Sequence, residues 1–290
     1  MDSTEVVVSA AVKIAERLEA RAIIVSGDIN LEKVETHIPV YFTSRKQKNL
    51  IDHLVASSKT KEENSKEILD KLNQQAAGKT EQIENLSAIG FMTEDVDEGN
   101  VVGIIESKES YAIVIHNLAY NRMLKTLKEC EERISAGILR TVLKIAFDIS
   151  DSGREGKKIG TAFILGDVEE VLTRSHQMIL NPYTGQADDD RNILDRKNWE
   201  SIKEFAQLDG VFVISEEGMI EAAGRYLDVD ARNISVDKGL GGRHVSAAAI
   251  TRDTVAIAIT VSESGGVMHI YMDGKEVIHI ESTERALRWR

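Results

Sequence analysis

Two prolines, Pro39 and Pro182, and one cysteine, Cys130, are all that this 290-residue chain has of either. A single thiol excludes a disulfide framework and a cysteine-rich zinc site, and it points to a reducing compartment. Cys130 falls between Leu127 and Ile134 on a helical pattern, which suits a small packing residue better than a nucleophile. Long apolar runs are missing too. No stretch approaches membrane-spanning length, and Met1-Asp2-Ser3-Thr4-Glu5 lacks a basic segment followed by an apolar one. The expectation is a soluble, cytoplasmic protein with no membrane partner.

Positive charge is also scarce: 36 Lys and Arg face 48 Asp and Glu, a formal net charge of -12. That balance argues against a nucleic acid polymer as partner, because such binding needs many cations along a surface. A single nucleotide needs only a local pocket of cations and backbone amides, so it stays open. Several catalytic signatures are absent as well. There is no Gly-x-Ser-x-Gly elbow, no P-loop ending in Gly-Lys-Ser/Thr, no dinucleotide glycine spacing and no His-x-x-x-His pair.

What is present reads as two α/β domains. Val8, Val12, Ala15 and Leu18 recur at helical spacing and lead into the apolar run Ala22-Ile23-Ile24-Val25, closed by Ser26-Gly27-Asp28. A short strand is expected from Pro39 to Phe42. Ser57 to Asn100 is polar, with a helix around Ile68, Leu69 and Leu72 and a strand or turn at Ala88 to Met92. Val101 to Ile105 and Tyr111 to Ile115 form a strand pair. A long helical stretch carrying Leu124, Leu127, Ile134, Ile138, Val142 and Ile145 bridges the domains, divided at Gly137.

The second half reads as strand Ile159 to Leu165, helix Val168 to Met178, helix Asn198 to Leu208 and strand Val211 to Ile214. A helix follows Arg243, and strands at Val255 to Val261, Val267 to Met272 and Glu276 to Ile280 form an antiparallel meander. The basic tail from Arg285 to Arg290 reads as a frayed terminus. The fold class is therefore α/β, with a small N-terminal α/β domain over residues 1–120. Residues 121–290, bridging helix included, form a mixed β-sheet flanked by helices.

Three segments carry candidate chemistry. Lys238-Gly239-Leu240-Gly241-Gly242-Arg243-His244 sets glycines, a forked cation and an imidazole before a helix, whose first amides lack internal partners and suit phosphate. On the residues alone a solvated turn fits equally, and His244 fits a structural role as well as a phosphate ligand. Asp209-Gly210 joins a helix to an apolar strand, where an aspartate binds a metal or polarises a hydroxyl, or simply caps a turn. Val261-Ser262-Glu263-Ser264-Gly265-Gly266 holds hydroxyls and a carboxylate in what is also an ordinary hairpin. Asp188-Asp189-Asp190 reads as a solvated loop.

Four segments in order resemble the diadenylate cyclase (DAC) domain: Leu208-Asp209-Gly210-Val211, Ala222-Ala223-Gly224-Arg225-Tyr226-Leu227, Gly241-Gly242-Arg243-His244-Val245-Ser246-Ala247, and Val261-Ser262-Glu263-Ser264-Gly265-Gly266. The family's Asp-Gly-Ala and Arg-His-Arg elements stand here as Asp209-Gly210-Val211 and Arg243-His244-Val245. The resemblance implies condensation of two ATP into cyclic di-AMP and two pyrophosphates with Mg or Mn, at sites that face each other in a dimer or higher oligomer. It implies Asp209, Arg243 and His244 as catalytic residues, and Asp209 and Glu263 at the metal. It places Gly210, Tyr226, Leu227, Gly242, Arg243, His244, Ser246, Ser262 and Glu263 around the nucleotide.

Val245 removes a second arginine and Ser264 stands where relatives carry an acid; Lys238 is a candidate compensating cation. These departures keep open an alternative, a DAC-like nucleotide sensor without turnover. The N-terminal half is similar to the small α/β domain at the end of pyruvate kinase, which accompanies an archaeal-type branch of these enzymes. No catalytic motif comes with it, and its expected role is assembly or regulation.

Overall fold

The computed structural model describes residues 3–26, 29, 35–43, 98–107, 110–154, 157–234, 236, 240–263, 266–281 and 286–288. The helix expected around Ile68 to Leu72, the strand or turn at Ala88 to Met92, the Ser26-Gly27-Asp28 turn beyond Ser26, and Lys238, Ser264 and Gly265 lie outside them. The chain divides into two compact units, residues 1–124 with 283–290 and residues 125–282.

In the first unit, α1 (Ser3–Arg17) buries Val8, Ala11, Val12 and Ala15 at helical spacing. They pack on Ile23, Val25, Val40, Val102 and Ile104 from a five-stranded sheet. The sheet runs in the order β12-β2-β1-β3-β4 from β1 (Ala22–Ser26), β2 (Val40–Thr43), β3 (Asn100–Ser107), β4 (Ser110–Asn117) and β12 (Ala286–Arg288). The two parallel partners of β1 are β2 and β3, while β3 and β4 pair antiparallel in the expected hairpin. The tail is not frayed at its middle: Ala286, Leu287 and Arg288 pair antiparallel with Thr43, Phe42 and Tyr41. The open edge of β2 supplies the backbone partners that the tail's sequence does not advertise.

The boundary falls within α2 (Arg122–Glu131), and α3 (Ala136–Ser152) follows in the second unit. The bridging stretch breaks before Gly137 rather than at it, because Ser135 caps α3 by accepting the Ile138 amide at 3.4 Å. Further on come β5 (Thr161–Leu165), α4 (Val168–Thr173), β6 (Ser175–Gln177), α5 (Asp188–Arg191), α6 (Trp199–Phe205), β7 (Val211–Ile214), β8 (Ile220–Leu227), α7 (Gly242–Asp253), β9 (Ile257–Val261), β10 (Val267–Met272) and β11 (Lys275–Glu281). The helix expected to run to Met178 stops at Thr173. The chain then turns into β6, whose Ser175 to Gln177 pair with Leu227 to Arg225.

Seven strands form one mixed sheet in the order β11-β10-β9-β5-β7-β8-β6. Only β5 and β7 are parallel, and β9, β10 and β11 form the antiparallel meander. Alternation along β5 sends Ala162 and Ile164 to the face covered by α7, where Ala247, Ala248 and Ile250 meet Val211, Val213, Leu227, Ala258 and Tyr271. Consecutive alanines let α7 lie close to the strands. Phe163 takes the opposite face and stacks on Phe212 at 5.0 Å between centroids. Each fully buried aliphatic side chain here contributes about 1.5–3 kcal/mol.

One glycine fixes the geometry near the C-terminal end of α6. Gly210 has φ +109°, and a Cβ on it would lie 2.6 Å from both Arg225 O and Gly224 C. Gly210→Ala is therefore expected to cost about 3 kcal/mol, read as a lower denaturant midpoint with an unchanged slope. Gly137→Ala, which meets nothing within 4 Å, should be neutral or stabilising by about 0.5–1 kcal/mol. Equal midpoints for the two variants would overturn this account of the turn.

Candidate functional site

The site is assembled by sheet topology from segments far apart in sequence. Gly210 closes the turn after α6 and leaves the Asp209 side chain 82% exposed at the start of β7. Gly241 is the N-cap of α7 with no side-chain cap, so the first amides of that helix have no side-chain acceptor. A Cβ on Gly241 or Gly242 would meet nothing within 4 Å, so the space over this helix end is open. Arg243, in the first turn, reaches across to Asp209, its Nη2 donating to Oδ1 at 3.1 Å.

The same guanidinium lies against Gly160, at the entry to β5. A Cβ there would be 3.1 Å from Arg243 Nη1 and 3.1 Å from Glu263 Cβ. Asp209, Arg243, Gly160 and Glu263 thus come together at one end of the central strands β9, β5 and β7, from four separate segments. This is a half-buried cation between two carboxylate-bearing turns, at the amino end of a helix 12 residues long. Such an arrangement can receive a polyanion and position a divalent cation beside it.

The remaining candidates fall into different environments. Tyr226 is half exposed on β8, its ring 5.3 Å from that of His176, whose Nδ1 is 2.8 Å from the Asp228 carboxylate. Ser246 donates back to Arg243 O at 3.1 Å and stitches the first turn of α7. The Ser262 amide closes the β9–β10 hairpin on Val267 O at 2.9 Å.

Two of the candidates, Leu227 and His244, are buried. Leu227 packs with Val211, Ala247 and Tyr271, because its place on β8 faces α7. His244 is only 5% exposed, with Nδ1 3.0 Å from both Tyr271 Oη and Thr260 Oγ1. Burial, then the neighbouring His269 and Arg243, lower its pKa to about 4, so it is neutral at pH 7. It holds α7 from beneath.

Cys130 is fully buried, and burial raises its thiol pKa to about 11, in keeping with a packing role. No helix among the described residues is long and apolar enough to cross a membrane. No group of three His, Cys, Asp or Glu side chains among them is placed to hold a metal ion. Asp209, which contacts Arg243, and Glu263, whose Cβ flanks Gly160 as Arg243 does, are nonetheless hard oxygen donors. They suit a hard divalent cation, of the kind commonly held by one or two carboxylates with phosphate oxygens completing the shell.

Residues 149–276 match the family model described as the DisA bacterial checkpoint controller nucleotide-binding domain. Residues 6–119 match the one described as the probable sensor domain DacZ_A. A diadenylate cyclase of Methanocaldococcus jannaschii is 37% identical over 167 residues, covering 58% of this chain and 52% of the relative. A diadenylate cyclase of Haloferax volcanii is 37% identical over 153 residues, covering 51% of this chain and 54% of the relative. Residues 149–276 thus resemble a family of nucleotide-binding domains, and about half of the chain is similar to two diadenylate cyclases.

The chain spans about half the length of the curated relatives it matches. A solved structure, DacA from Staphylococcus aureus, aligns over 52% of this chain and 89% of that one, at 21% identity and a TM-score of 0.34, a likeness too slight to argue from. The sequence left two contributors to the site unmarked. Gly160 works through the side chain it lacks, and its only signal is a glycine directly before a buried strand. His269 lies 25 residues from His244, and only the pairing of β9 with β10 brings the two rings together.

The buried imidazole gives a pH signature. In the unfolded chain His244 takes a proton near pH 6.5, whereas the folded protein resists it until about pH 4. The unfolded state therefore binds more protons across that window, and stability falls by about 3 kcal/mol as the pH drops from about 6.5 to about 4. Denaturant melts should show this slope in the wild type and lose it in His244→Gln. An equal slope in both proteins would contradict the burial account.

Proposed function

We propose that this protein condenses two ATP molecules into cyclic di-AMP and two pyrophosphates. The observation that carries the reading is the Arg243–Asp209 contact at the amino end of α7, with Glu263 and the Arg243 guanidinium both flanking Gly160. The names of its relatives agree with it.

Arg243 and the first amides of α7 bind the triphosphate and neutralise charge as it builds on the phosphates. Gly242 leaves the approach clear, and Ser246 and His244 keep the first turn in place. Tyr226 offers an exposed aromatic face for the base. Asp209 orients the attacking 3'-hydroxyl, and Asp209 and Glu263 would hold Mg or Mn, which supplies further charge neutralisation when bound. Each 3'-hydroxyl oxygen forms a bond to the α-phosphorus of the other ATP as the bond to pyrophosphate breaks. Two such links require two facing sites, so the active form is a dimer or a larger assembly of this chain. A cytoplasmic location suits an ATP substrate.

A second reading has its own observation. Val245 follows His244 where the family carries an arginine, so the helix end has one cation fewer, which favours a sensor that binds nucleotide without turnover.

The test is incubation of the purified protein with ATP and Mg or Mn, followed by mass analysis. Cyclic di-AMP and pyrophosphate in a one-to-two ratio are expected, and Asp209→Asn should lower the rate by about 100-fold. Tight ATP binding with no pyrophosphate under either metal would select the sensor instead.

A further inference from the structure

Behind His244 lies a second layer of polar groups. The His269 ring meets the His244 ring edge to face, with centroids 4.7 Å apart and planes at 82°. Its Nδ1 lies 3.0 Å from Glu276 Oε2, and its Nε2 is buried without a hydrogen-bond partner. Facing a carboxylate, Nδ1 carries the proton, which fixes both tautomer and ring plane. On the far side Glu276 also meets His279, Oε1 to Nδ1 at 3.4 Å, and the Tyr271 ring lies 6.2 Å from both the His269 and His244 rings.

Glu276 reaches this position through an irregularity in the sheet. The pairs His269↔His279 and Ile270↔Ile278 are followed by Tyr271↔Glu276, so Val277 has no partner. Regular alternation would send Glu276 to the apolar face with Ile278 and Ile280, which are 5% and 1% exposed. The bulge turns its carboxylate to the histidine face instead. A bulge costs a ladder interaction, and re-aiming one side chain is a common use of it near functional sites.

We propose that Glu276 and His269 are positioning residues for the nucleotide site. Glu276 fixes the His269 ring, that ring and Tyr271 hold His244, and His244 seats the turn of α7 from which Arg243 reaches Asp209. The inference rests on the cyclase reading above, but it has a readout of its own in the His244 ring.

The experiment uses the full chain and two measurements, initial rates with ATP and the side-chain nitrogen shifts of His244 by long-range proton–nitrogen NMR. Glu276→Ala and His269→Ala are expected to lower kcat about tenfold with a smaller change in KM. Glu276→Gln, whose side-chain carbonyl still accepts from Nδ1–H, should recover most of the rate. His244 should show one tautomer in the wild type and in Glu276→Gln, and a mixture in Glu276→Ala. If an alanine variant does not fold, Glu276→Asp, which shortens the reach of the carboxylate, carries the same expectation. Folded variants with wild-type kcat and unchanged His244 shifts would overturn the proposal. If the wild type itself forms no cyclic di-AMP, the cyclase reading fails. Positioning is then decided by NMR alone: altered His244 shifts in Glu276→Ala support it and unchanged shifts overturn it.

Discussion

The Arg243–Asp209 ion pair is the constraint on which the rest of the site depends. It joins the turn before β7 to the first turn of α7 at one end of the central strands, and it exists only where Gly210 lets the chain pass Gly224 and Arg225. At the surface such a pair is worth little in stability, about 0–1 kcal/mol. Its value is positional. In the proposed reaction, a guanidinium held at the end of a helix is already aimed for a phosphate, so less ordering entropy opposes binding.

Everything beneath that pair keeps α7 in one place. Alanines 247 to 249 bring the helix down onto the strands, and His244 anchors its first turn to Thr260 and Tyr271. The cost is a buried imidazole that cannot take a proton at ordinary pH, an arrangement stable only while it stays neutral. The C-terminal strand that leaves β11 ends in the sheet of the first unit, beside β2. The two units are therefore joined by two chain crossings, one after β4 and one after β11.

Much of this was legible in the sequence. The meander β9 to β11 follows from apolar runs separated by glycine turns, and Asp209, Arg243 and Glu263 stand in motifs with recognisable order. What could not be read depends on long-range pairing. The end of α4 at Thr173 is set by β8, which gives Ser175 to Gln177 a strand partner that outweighs their helical spacing. The burial of Leu227 and His244 is likewise unmarked by their motifs, because alternation on β8 and the packing of α7 on the sheet set it. The strand at Ala286 to Arg288 has no local pattern at all, since its partner lies more than 240 positions earlier in the numbering.

The most direct measurement is calorimetric titration of a non-hydrolysable ATP analogue, with Mg present, into the wild type and into Arg243→Ala and Arg243→Lys. If α7 and Arg243 hold the triphosphate, Arg243→Ala weakens binding by about tenfold or more, and lysine, a point charge without the fork, falls between. Equal affinity in all three proteins would contradict the account.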